Sequence, residues 1–133
     1  MIKNHVTSLE LSKRLKECGV PQKSVFCWFH GGIDGGAWVL QKDEDEPNGA
    51  IASAFLASEI GEMLPEYIRL EIGVFYLYIT NYSYRWTVMY APFNEKDSVK
   101  PFHGEHGFSL IDAMTKLFIW LIENNHVKVE ELK

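Results

Sequence analysis

The chain has 133 residues, 47% of them apolar and 23% charged, which is the size and composition of one domain with its own core and excludes wholesale disorder. A formal net charge of -5 argues against broad binding to duplex nucleic acid or to an anionic membrane. No run approaches the roughly 20 apolar residues that span a bilayer.

The most apolar runs, IGVFYLYI at 72–79 and LFIWLI at 117–122, have the lengths of a strand and a buried helix. MIKNHVTSLEL at the start has no apolar signal region. Cys18 and Cys27 are too few for a disulfide framework, so both are expected as buried thiols of a reducing cytoplasm.

In chain order, VTSLEL opens the first helix, with Thr7 as N-cap and Glu10 completing a capping box. Val6 and Leu11 fall at the positions of a hydrophobic staple. Gly19 stands where a left-handed residue ends a helix, Val20 can reach back to Leu15, and Pro21 forbids continuation. Leu11, Leu15 and Cys18 form a narrow apolar stripe, while Lys13, Arg14 and Lys16 face water.

SVFCWFH at 24–30 is β-branched and aromatic and reads as a strand. GGIDGG turns it into AWVLQK, its expected hairpin partner, and DEDEPNG follows as a solvated acidic loop. SAFLASEIGEML reads as a second helix that Pro65 stops, with Leu56, Ile60, Met63 and Leu64 on one face and Glu59 and Glu62 turned away. A short strand near YIRLEI precedes the strongest hairpin signal, GVFYLYIT and YRWTVMYA joined through Asn81-Tyr82-Ser83. Alternation places Trp86, Val88 and Tyr90 on one face and Arg85, Thr87 and Met89 on the other. NEKDSVKP and the FHGEHG that follows it read as loops.

The last helix starts at Ser109, with Asp112 suited to the positive end of its dipole. At about 100° per residue, Ser109, Asp112, Lys116 and Glu123 share one narrow polar sector. Leu110, Ile111, Met114, Leu117, Phe118, Leu121 and Ile122 fill the remaining arc, bordered by Ile119 and Trp120. So wide a stripe marks the central element of the core. The alternative is a helix that offers its border residues to a partner chain.

Three clusters bear on chemistry. His103, Glu105 and His106 are a candidate metal set, in which the H-x-x-H pair of His103 and His106 needs a third ligand from elsewhere, such as His30, Asp34 or Cys27. Within a glycine-flanked loop neither imidazole is held, and H-E-x-x-H is absent. FHGGIDGG matches in part the His-Gly-Gly loop of lipase-like hydrolases, but the chain has no G-x-S-x-G elbow to go with it. Tyr76, Tyr78, Tyr82, Tyr84 and Trp86 would stack single-stranded bases if they lay exposed on a sheet, although only Arg69 and Arg85 stand near them in sequence. No P-loop, Rossmann fingerprint, CxxC or catalytic carboxylate pair appears.

SLELSKRLKECGVPQKSVFCWF at 8–29, ASEIGEMLP at 57–65 and SLIDAMTKLFIWLIENN at 109–125 resemble a family of small uncharacterised phage and prophage proteins of bacteria. Its pattern runs LELSKxLKExGVxQ, ELGEMLP and ADALAKMLIYLIEN, and Ile60 stands here where that pattern has Leu. The shared segments are caps, apolar faces and a proline stop, so the resemblance implies a fold and no reaction.

These readings predict one α+β domain over 1–133. An antiparallel sheet of about four or five strands packs on the C-terminal helix, with two further helices at its margins. The expected function is a non-enzymatic binding or accessory protein that takes a protein partner or associates with itself, and needs no cofactor. Its expected interaction surface is Tyr84 and Trp86 on the sheet, or Ile119 and Trp120 on the helix border. The competing functions are a metal-dependent hydrolase built on His103, Glu105 and His106, and a single-strand nucleic-acid binder.

Overall fold

The computed structural model describes residues 2–31, 36–42, 49–92 and 102–132. The interior of the GGIDGG turn with Asp34, the acidic loop at 43–48 and the loop at 93–101 lie outside the described residues. The described chain is α+β: three α-helices and two antiparallel sheets, of three and four strands.

Helix α1 spans Leu9–Glu17. Its ending is a Schellman motif: Gly19 has φ +90°, its N–H bonds Lys16 O, and the Val20 N–H bonds Leu15 O. Its start lies one residue later than the capping pattern implies. Ser8 is the N-cap, accepting from the Leu11 N–H at 3.2 Å. Thr7 is fully buried and performs another task. Its Oγ1 accepts the Phe55 N–H at 3.0 Å, and its carbonyl accepts the Trp28 indole N–H at 2.9 Å. Adjacent hydroxyls are equally able to cap, so the buried amide at Phe55 selects which one does.

The first sheet has the order β2-β1-β3, from β1 (Phe26–His30), β2 (Ala37–Gln41) and β3 (Ala50–Ser53). β1 and β2 form the expected hairpin, pairing Phe26 with Gln41 and His30 with Ala37. β3 was not expected. AIAS has too little pattern of its own, and pairing of Cys27 with Ser53 and Trp28 with Ala52 makes it a strand. Consequently helix α2 is shorter than predicted, Ala57–Met63. Glu59 is not turned away: its Oε1 accepts the Leu56 N–H at 2.8 Å and the Ser24 hydroxyl at 2.7 Å.

The second sheet runs β4-β5-β6-β7, with β4 Tyr67–Leu70, β5 Gly73–Tyr82, β6 Arg85–Pro92 and β7 His103–Gly107. The β5–β6 hairpin turns at Ser83 and Tyr84, one residue beyond the predicted centre. Both have positive φ, 50° and 63°, as a type I′ turn requires.

Helix α3, Leu110–Glu123, covers the inner face of this sheet. Ser109 accepts the Asp112 N–H at 3.2 Å, as its sequence indicates. Leu117, Phe118, Ile119 and Leu121 are buried with Phe75, Val88 and Tyr90 beneath them, each contributing about 1.5–3 kcal/mol. Gly61 on α2 admits close approach: a Cβ there would lie 3.4 Å from Met114 Cε. A smaller cluster of Val6, Trp28 and Ala54 sits against the first sheet. No helix among the described residues is long and apolar enough to cross a membrane.

Candidate functional site

HGEHG, expected as a loop, is the edge strand β7, paired to β6 from Tyr90↔His103 to Trp86↔Gly107. Glycine suits this strand because it crosses crowded ground. A Cβ on Gly104 would meet Met89 Cβ at 3.1 Å, and one on Gly107 would meet the start of α3 at 3.0 Å.

Strand alternation then separates the predicted metal set. His103 and Glu105 pair with Tyr90 and Val88 on the α3 side, whereas His106 pairs with Thr87 on the opposite face. His103 Nε2 and Glu105 Oε1 are 3.1 Å apart, both partly exposed. His106 Nδ1 shares a 2.8 Å hydrogen bond with Thr87 Oγ1. Among the described residues no three His, Cys, Asp or Glu side chains converge on a common point. His30 and Cys27 belong to the other sheet, so neither completes the set.

His103 is held instead by an aromatic cluster. Its ring lies parallel to Trp120, with centroids 3.7 Å apart and 6° between planes. Phe102 meets Trp120 and His126 edge-on at 5.5 and 4.9 Å. Trp120 is therefore half-buried by its own chain. Ile119, its expected companion on an interaction border, is 1% exposed and belongs to the core, because α3 is flanked on that side as well. Trp86 is half-buried on the α3 side of the sheet and faces away from the tyrosines of β5. Tyr84 alone of the four proposed contact residues stands free in solvent, 90% exposed.

The outer face of the second sheet gathers a second group of aromatic and basic side chains. Register puts Tyr67 beside Tyr76, Tyr78 beside Met89, and Thr80 beside Thr87 and His106. Arg69 lies at one end of this face and Arg85 at the other, opposite Tyr82. Tyr67 and Tyr76 are 48% and 38% exposed, with centroids 6.1 Å apart, and Tyr82 is 84% exposed. None of the outward positions of β4 to β7 is Asp or Glu, and no described helix packs against them. Sequence reasoning missed Tyr67 and His106 as members, and had Arg69 only as a neighbour in sequence. Alternation within YIRL and HGEHG contains the parity, but only register joins it to the parity of β5.

Elsewhere the basic helix face is engaged locally. Arg14 pairs with Glu123 at 3.1 Å, and Lys16 donates to Ile51 O at 2.8 Å. Lys42 donates to Gln22 O and to Ser53 Oγ, both at 2.9 Å, beside buried Cys27. Burial, and next the Glu123 carboxylate, push the Cys18 thiol above its ordinary range. Burial likewise raises Tyr90, whose hydroxyl donates to Pro65 O at 2.6 Å. These contacts tie elements together.

No family model, no curated protein and no solved structure matches this chain. The geometry is therefore what its function has to be argued from.

Proposed function

We propose that this chain is a non-enzymatic binding or accessory protein of the cytoplasm, related to the phage proteins that its terminal segments resemble. Its ligand surface is the outer face of the second sheet. One observation carries the reading: α3 packs on the inner face, while the outer face presents tyrosines, arginines and no described carboxylate. An antiparallel sheet with one solvated face ordinarily shows mixed polar residues there, so a ring-rich, acid-free face in an acidic chain calls for a ligand.

The test is site-specific photo-crosslinking in bacterial cells. A benzophenone amino acid replaces Thr80, which is exposed on that face, or Trp38, which is exposed on the other sheet. The expected result is a discrete adduct, of whatever class of macromolecule, from position 80 and not from 38. Absence of any adduct from position 80, or equal adducts from both, would overturn the reading.

A further inference from the structure

We propose that the ligand of this face is single-stranded nucleic acid; the inference rests on the binding reading above and names its partner. The structure joins two observations that sequence keeps apart. Arg69 and Arg85 stand on the same face as Tyr67, Tyr76, Tyr78 and Tyr82. Each strand alternates, so Tyr76 and Tyr78 on β5 lie about 7 Å apart, and Tyr82 follows at about twice that distance beyond Thr80. Rings at that separation offer separate stacking surfaces for successive bases, and guanidinium groups at the two ends receive the phosphates.

Charge favours this occupant. The outer face carries +2 from its arginines, so with -5 overall the remainder of the chain carries -7. Charge complementarity therefore favours a polyanion at this acid-free surface over the acidic remainder taken as a whole. His106 adds a polar contact beside them, fixed at Nδ1 by Thr87. A duplex hides its base faces and needs a broader basic surface than two arginines provide, so single strands are selected. A peptide added as a further strand would join this sheet at its edge through backbone hydrogen bonds, a mode that makes no use of rings in the middle of a face.

Fluorescence anisotropy with fluorescein-labelled oligo-dT and oligo-U of fifteen nucleotides, and a hairpin duplex as comparison, tests the proposal. The full chain is expected to bind both single strands with dissociation constants of about 1–100 μM, and the duplex more weakly. Two neutralised phosphates give a log–log salt slope of about -1.4. Arg69→Ala with Arg85→Ala brings that slope near zero. Tyr78→Ala weakens binding at least about fivefold without changing the slope. Trp38→Ala, on the other sheet, leaves binding unchanged, and circular dichroism confirms that each variant folds.

Failure of both single strands to bind at low salt overturns the proposal, as does binding that the double arginine variant leaves intact. Protein adducts from position 80 together with no oligonucleotide binding overturn the nucleic-acid assignment and leave the binding face standing. Oligonucleotide binding indifferent to Tyr78 and to both arginines overturns the face itself.

Discussion

The imidazole of His103 lies flat on the indole of Trp120, 3.7 Å between centroids and 6° between planes. This contact joins the edge strand β7 to the end of α3, and gives His103 a structural role. His103→Ala is expected to cost about 0.5–1.5 kcal/mol, the range for such ring pairs, whereas His103→Phe keeps most of it. Chemical denaturation midpoints of the two variants decide. Equal losses from both would mean that the pair with Glu105 matters more than the stack, although its half-exposed geometry limits it to about 1 kcal/mol or less.

Thr7 and Ser8 are neighbours with different duties, and mutation separates them. Ser8→Ala removes only a helix cap, at about 1 kcal/mol. Thr7→Val leaves the buried Phe55 amide without its acceptor and is expected to cost about 1–3 kcal/mol more than a neutral change of shape would. The measurement is the urea midpoint of each variant. A larger loss at Ser8 than at Thr7 would contradict the assignment of the cap.

Tyr90 gives the fold an alkaline limit. Burial holds its folded proton affinity above the unfolded value, so the folded chain retains a proton that the unfolded chain releases above about pH 10. This contribution is complete below about pH 10 and is lost as pH rises, at about 1.4 kcal/mol per unit. Tyr90→Phe should remove that component of the alkaline slope, at a neutral-pH cost of about 1 kcal/mol for the bond to Pro65. Guanidinium unfolding followed across the alkaline range reads both effects.

The β5–β6 turn holds Ser83 and Tyr84 in left-handed conformations that favour Asn-Gly. Replacing them, Ser83→Asn with Tyr84→Gly, is expected to stabilise the chain by about 1–2 kcal/mol. Thermal unfolding tests this, and destabilisation would show that the exposed Tyr84 ring contributes to the folded state. Such a residue pair kept at a strained turn, with Tyr84 90% exposed, fits a surface retained for contact.

Local signals proved legible where one short stretch contains both partners of an interaction. Gly19, Val20 and Leu15 lie within a single helix ending, and Ser109 with Asp112 within a single helix start. The wide apolar arc of α3 likewise predicted its central place, since a helix that is apolar over most of its circumference has to be covered on most sides. Thr7 shows the limit of such signals. Its capping pattern was complete, and the amide that claimed its hydroxyl lies 48 residues away.

The sequence by itself determined the α+β class, the hairpins, the C-terminal end of α1 and the start of α3, because caps, turns and side-chain periods act over a few residues. Only the tertiary structure decided that AIAS and HGEHG are strands, that His103 and His106 point to opposite faces, and that Arg69 and Arg85 join the tyrosines. A weakly patterned segment becomes a strand when a distant backbone offers it hydrogen bonds, and the register of that pairing assigns every side chain to a face. Neither the partner nor the register is written within the segment.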